Sequence, residues 1–264
     1  MIKKIMLLLF TLQFAKALSQ EQGLKVMPIS SQKINADTFI GYDGLGNLYY
    51  LKNNVFFKEQ NEGLWQYKNI SLGKITHVDI QNPLKIMLLY GNFNTAVLLD
   101  NQLNEIKKIN FSENKVPILA TAMGMSSQNR LWIYNSLTQQ IGLFNYLKNT
   151  YQSITPSIHG NMKWYESNFN AFQWVDDDLN WYSCDPFVKI TSIGKLPDFE
   201  QIQITKNKDV LYLKDKKLHL IPFQKDIRYT IEGVEKSFKK FYYKDQILSI
   251  FTDQEITNYK ITIP

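Results

Sequence analysis

In the run Trp174-Val175-Asp176-Asp177-Asp178-Leu179-Asn180, Asp176, Asp178 and Asn180 set carboxylate and amide oxygens at alternate positions, the spacing that opens a calcium loop. Trp181 stands where such a loop needs glycine, and Phe187 stands where its twelfth-position acid should be. An acidic turn between two strands is the simpler reading, although a metal would be sought here first. His77, His159 and His219 are too far apart in sequence to make a zinc pair. Cys184, the only cysteine, ends a strand pattern beside Asp185 and Pro186; it reads as a structural thiol and excludes an internal disulfide. No Gly-x-Ser-x-Gly elbow occurs. No catalytic residue, metal ligand or cofactor is therefore assigned.

Binding has better candidates than catalysis. Segment 157–174 carries Trp164, Tyr165, Phe169, Phe172 and Trp174 among Asn and Gly. It reads as the longest link between repeated units, and aromatic side chains on a loop above a rigid scaffold make binding anchors. Phe172 and Trp174 alternate as strand residues do and fit a core. Trp164 and Tyr165, with Asp176, Asp177 and Asp178, make the expected protein- or ligand-binding site.

The elements that position these residues are short. Lys3 and Lys4 precede an apolar run, Ile5 to Phe14, and Ala17 and Ser19 set small residues before Gln20. This is the pattern of a signal peptide over 1–19, with cleavage before Gln20. A ten-residue helix covers about 15 Å, half of a bilayer core of about 30 Å, so no membrane span is expected. No cysteine near the junction offers a lipid anchor. Removing Lys3, Lys4 and Lys16 leaves 27 basic against 24 acidic residues, a net +3 that is well mixed along the chain. Such a balance gives no reason to expect a nucleic-acid partner.

Residues 20–264 read as a single domain of strands bounded by Asn, Asp, Gly, Ser and Lys. The runs NLYYL, KIMLLY, RLWIY, LNWYS, DVLYL and QILSIF align as the second strands of successive units. Equating Leu48, Ile86, Leu131, Leu179, Val210 and Ile247 gives steps of 38, 45, 48, 31 and 37 residues, close to the period of a four-stranded propeller blade. The fourth unit has only a stunted outer strand at 193–196, an uncovered edge that invites strand addition. The sixth unit ends after three strands, while LKVMPIS (24–30) is left over at the start. The expected fold is an all-β, six-bladed β-propeller closed by the N-terminal strand pairing with the last blade. Unequal fourth and fifth units keep five or seven blades open, and a β-sandwich or irregular meander is the competing class.

DGLGNLYYL (43–51) resembles the repeats of bacterial sensor ectodomains and of secreted relatives of the NHL and lactonase-like propellers. SSQNRLWIY (126–134) matches the same pattern with the glycine replaced, and the other units match by period alone. The resemblance implies a fold more than an activity. In a lactonase-like propeller, acidic and amide side chains at the entrances of inner strands hold a metal. Asp43, Asp79, Asp176 and Asp209 lie near such positions here, yet each sits at or beside a hairpin turn, where Asp bonds its own backbone.

The expected function is that of a non-enzymatic protein-interaction scaffold, exported to the periplasm and held at the outer membrane by a protein complex. Exported, non-lipidated propellers of this composition look like accessory subunits of outer-membrane machines such as the type 9 secretion translocon. The alternatives are a metal-dependent lactonase-like hydrolase and a carbohydrate-binding propeller.

Overall fold

Period-two alternation in short runs commits nearly every segment to strand, and the turns between them decide how the strands associate. The computed structural model describes residues 20–61, 63–234 and 237–263, so the leader expected over 1–19 lies outside the described residues. Two compact units emerge: a larger one, 36–198, and a smaller one built from the stretch before Ala36 together with the stretch from Phe199 onward.

The chain opens with β1 (Gln20–Lys25) and β2 (Pro28–Lys33), both in the smaller unit. The larger unit follows as four sheets. Blade one is β3 (Thr38–Tyr42), β4 (Leu48–Lys52), β5 (Val55–Gln60) and β6 (Gly63–Tyr67). Blade two is β7 (His77–Asp79), β8 (Ile86–Tyr90), β9 (Thr95–Leu99) and β10 (Glu105–Asn110). Blade three is β11 (Ala120–Ser126), β12 (Arg130–Asn135), β13 (Gln140–Asn145) and β14 (Thr150–Ser153). Blade four is β15 (Met162–Asn168), β16 (Ala171–Asp176), β17 (Asn180–Cys184) and β18 (Ile190–Lys195).

In the smaller unit, blade five is β19 (Gln201–Ile204), β20 (Val210–Lys214), β21 (Lys217–Ile221) and β22 (Ile227–Glu232), extended by β1. Blade six is β23 (Lys240–Lys244), β24 (Ile247–Phe251) and β25 (Glu255–Lys260), completed by β2. This is a six-bladed β-propeller closed, as expected, by an N-terminal strand on the last blade. The closing strand is 28–33 rather than 24–30. Pro28 opens it on the sheet's outer edge, where a missing N–H costs nothing. The residues ahead of it make a second, unforeseen strand: β1 lies parallel on β22, with Gln20 opposite Ile227.

Burial explains the order within a blade. Every residue of β8 and β9 is buried, whereas the outer β10 and β18 are mostly exposed. The two faces of a middle strand serve different neighbours. Ile86, Leu88 and Tyr90 of β8 pack with Tyr49 and Phe56 of blade one, while Met87 and Leu89 pack with Leu131, Ile133 and Phe144 of blade three. Trp132 of β12 turns the other way, onto Phe172 and Trp174 of blade four. In the smaller unit, Leu211 and Leu220 meet Leu248 and Ile250 in the same manner. Each such buried side chain is worth roughly 1.5–3 kcal/mol.

One hairpin turn recurs. At Asp43–Asn47, Asp100–Asn104 and Asp176–Asn180, the Asp Oδ1 accepts the backbone N–H of the Asn four residues on, at 3.0, 2.8 and 2.8 Å. The Asn Nδ2 donates back to the other carboxylate oxygen at 2.7, 3.0 and 2.9 Å. The residue before the Asn is left-handed in each: Gly46 at φ 82°, Leu103 at 62° and Leu179 at 68°. These turns join the first and second, the third and fourth, and the second and third strands of their blades respectively.

That distribution corrects the reading of blade four. The strand after Asn180, expected from the run LNWYS to be the second of blade four, is the third. The innermost strand is β15, inside the segment expected to be a loop, and the outer strand β18 is a full six residues rather than a stunted 193–196.

Candidate functional site

The inner strands of blades two, three and four approach one another closely at Gly124 of β11. A Cβ there would lie 1.9 Å from Ser167 Oγ of β15 and 3.1 Å from Asp79 Oδ2 of β7, so a larger residue would force Ser167 to move. Asp79 is anchored across this gap: its Oδ2 accepts the Met125 N–H at 2.7 Å and its Oδ1 the Gln81 N–H at 2.8 Å. Burial nevertheless raises its pKa above the usual carboxylate value, and these two hydrogen bonds only partly offset it. The Tyr165 ring stacks on Phe172 at 5.6 Å and reaches His77 at 5.3 Å.

Glu166 stands next on β15. The residue is exposed on the strand, and partial loss of hydration, reinforced by the Asp79 charge, pushes its carboxyl up to about 7. A carboxyl that exchanges its proton near neutrality can act as a general acid or base. The adjoining turns are tied together. Gln81 Oε1 accepts the Phe169 N–H at 3.1 Å, Phe169 O accepts the Ser127 N–H at 3.1 Å, and Trp132 Nε1 donates to Asn168 O at 2.8 Å. The Gln81 Nε2 is buried without a protein partner among the described residues.

The residues expected from sequence fall differently. Trp164 and Tyr165 belong to strand β15 and pair with Val175 and Trp174, not to a loop. Tyr165 is packed against the blade-three and blade-four core, and its burial raises its hydroxyl pKa well above the ordinary phenol value. Trp164 is half-buried. Asp176, Asp177 and Asp178 make the β16–β17 turn. Asp176 holds Asn180 as described, Asp177 Oδ2 accepts from Asn161 N and Nδ2 at 3.1 and 2.9 Å, and Asp178 is exposed. Met162 pairs with Asp176 and Asn168 with Ala171, so this turn lies at the opposite end of β15 from Phe169. The acidic turn and the Glu166 carboxyl do not form one site. Among the described residues no three His, Cys, Asp or Glu side chains converge to hold a metal ion.

Sequence reasoning passed over a second feature, the β17–β18 hairpin. Asp185 Oδ1 accepts from Phe187 N and Lys189 N at 2.8 and 3.0 Å, which shapes the tip. The tip presents apolar side chains to solvent: Phe187 is 88% exposed and Val188 48%. Val188 has φ 74°, a left-handed conformation that costs a β-branched residue on the order of 1–3 kcal/mol. Cys184 at the hairpin's base is buried, its thiol pushed up to about 11 by burial and then by Asp185, in keeping with a structural thiol. An open depression of about 660 Å³ on blade three, lined by Arg130, Asn145, Lys148 and Gln152, shares no residue with either feature.

No family model and no curated protein sequence matches the chain. Its structure is similar to virginiamycin B lyase from Staphylococcus aureus, with a TM-score of 0.57 at 12% identity over 84% of this chain and 79% of that one. A structure of YCF48 bound to D1 peptide aligns with a TM-score of 0.54 at 10% identity, over 87% of this chain and 81% of that one. BBS1N in complex with ARL6DN aligns at 0.54 and 10% identity, over 82% and 75%. These similarities establish the propeller fold, and an enzyme and two partner-bound proteins share it.

Proposed function

We propose that the chain is a protein-interaction scaffold whose blade-four hairpin, Asp185–Lys189, anchors a protein partner. The observation that carries this reading is Phe187. A large aromatic side chain on a hydrogen-bonded tip, beside a strained Val188, loses little conformational freedom on binding and buries much apolar surface. The finer form of the reading is an exported accessory subunit of an envelope complex at the outer membrane, such as the type 9 secretion translocon; it rests on the leader pattern of residues 1–19. Affinity purification from detergent-solubilised envelopes tests it. The wild-type chain is expected to recover a membrane partner stoichiometrically, and Phe187→Ser to reduce recovery at least tenfold with an unchanged melting curve. Recovery of the wild-type chain alone would sink the idea.

A second reading, a hydrolase or lyase, is favoured by the Glu166–Asp79 pair. It predicts turnover that depends on an ionisation near pH 7 and is abolished by Glu166→Gln. The pair has a signature separate from activity. A carboxyl raised in the folded state keeps its proton above its unfolded pKa, so folding stability falls as pH rises from about 4.5 through about 7. Glu166→Gln should flatten that slope, by about 1 kcal/mol once the accessible surface of the residue is allowed for. Parallel melting curves for the two proteins across this range would show that the carboxyl is ordinary.

A further inference from the structure

The outer strand of a blade carries backbone donors and acceptors that no strand of its own sheet satisfies, and proteins normally disable such an edge. Five blades here do so. Blade two's β10 has a bulge between Glu105 and Lys107 and three charged residues. Blade three's β14 stops after four residues. Blade four's β18 is bulged opposite Trp181 and Tyr182 and ends in Lys195. Blade six's β2 starts with Pro28 and is bulged before Ser30. Blade five's outermost strand is β1, laid on β22, and it is broken by Gly23 and ends in Lys25. Blade one's β6, Gly-Leu-Trp-Gln-Tyr, pairs with β5 in unbroken register from Gly63 to Tyr67 and has no proline, bulge or charge.

The phase of this edge is defined. Gln60 and Gly63 pair across a two-residue connection whose first residue, Asn61, has φ 50°. The closing pair is hydrogen-bonded, so Gly63, Trp65 and Tyr67 direct their backbone groups to β5, and Leu64 and Gln66 direct theirs outward. The Leu64 side chain, on the face opposite Trp65 and Tyr67, is 60% exposed.

We propose that β6 is a homodimerisation edge, pairing antiparallel with β6 of a second copy about a two-fold axis at Trp65. This register gives Leu64 and Gln66 of each copy the outward backbone groups of Gln66 and Leu64 of the other, roughly four hydrogen bonds. Trp65 meets its own symmetry mate in the closer, non-hydrogen-bonded pair, where aromatic side chains stabilise most. Charge is compatible with a second copy. Lys58, opposite Trp65 on β5, is occupied beneath the Trp65 ring at 5.2 Å and donates to Asn101 O at 2.7 Å, and Lys68 follows the strand outside the paired residues. The same operation on β18 about Ser192 would set Lys189 against Lys195, a like-charge contact that disfavours self-pairing there. The inference is independent of the partner reading, because Phe187 lies on a different blade.

Sedimentation velocity of the purified protein from 1 to about 100 μM, with Gln66→Pro and Leu64→Lys, tests the proposal. The Gln66 N–H points away from β5, so proline there removes an intermolecular donor and leaves the blade's ladder intact. The wild type is expected to sediment as a dimer. Gln66→Pro should sediment as a monomer with an unchanged circular dichroism spectrum, and Leu64→Lys should weaken association at least tenfold. Leu64 is exposed in the monomer, so this second substitution reads the edge even if the proline variant unfolds. A monomeric wild type at 100 μM overturns the proposal, as does a dimer insensitive to Leu64→Lys. A wild-type monomer that binds an uncharged extended peptide at this edge overturns it in favour of a foreign strand.

Discussion

The turns at Asp43–Asn47 and Asp176–Asn180 share one backbone path and one pair of reciprocal hydrogen bonds, yet they differ in weight. Asp43 is 3% exposed, and its carboxylate also accepts from Leu45 N at 2.8 Å and from the Tyr49 hydroxyl at 2.9 Å. Burial pushes this carboxyl up, but bonds from Asn47, Tyr49 and Leu45 outweigh it and hold the pKa below the ordinary value. Asp176 is half-buried and makes its turn bonds without an aromatic partner. The difference teaches that this turn specifies a hairpin, while its surroundings decide how much stability depends on it.

Substitution can break that comparison. Asp43→Ala leaves the Asn47 amide and the Tyr49 hydroxyl buried without an acceptor, and should cost about 3–4 kcal/mol in urea unfolding. A loss below 1 kcal/mol would show that water replaces the carboxylate and that burial is not the deciding factor. Asp176→Ala, with the same local bonds at a wetter site, should cost about 1 kcal/mol. Asp178→Ala should stay within about 0.5 kcal/mol and serves as the baseline for an exposed turn residue. Equal losses at positions 43 and 176 would mean that the turn itself carries the energy wherever it occurs.

The same pair of turns explains what the sequence made legible. Period-two runs and their spacing sufficed for the all-β class, the six blades and the closure, because the middle strands of a blade must be apolar to lie between neighbouring sheets. The order of strands in blade four is not legible locally, because an Asp-x-x-Leu-Asn turn carries no information about which two strands it joins. A signal was present in the spacing: steps of 48 and 31 flank the misassigned strand. The observed second strands begin at Leu48, Ile86, Arg130, Ala171, Val210 and Ile247, with steps of 38, 44, 41, 39 and 37. Strand β15 escaped notice since Lys163, Glu166 and Asn168 are exposed and break the apolar pattern. The Glu166–Asp79 pair was out of reach for another reason. Its members are far apart in the chain, and only the convergence of β7, β11 and β15 at Gly124 makes them neighbours. Asp79 does make the expected turn bond to Gln81, but its second bond, to Met125, cannot be read from local sequence.

The N-terminal segment also sets a schedule. Strands β1 and β2, separated by Val26 and Met27 alone, pair with β22 and β25, whose residues follow them by some two hundred positions. Contacts of such separation are slow to form, because the loop between them must close before any pairing is gained. Four complete blades are made between the two halves of the smaller unit. Strand β1 therefore has no sheet partner until β22 is made, and β2 none until β25 is made. The larger unit can pair its own strands meanwhile, and the smaller unit, whose pairings span the longest sequence separations, is expected to be completed last.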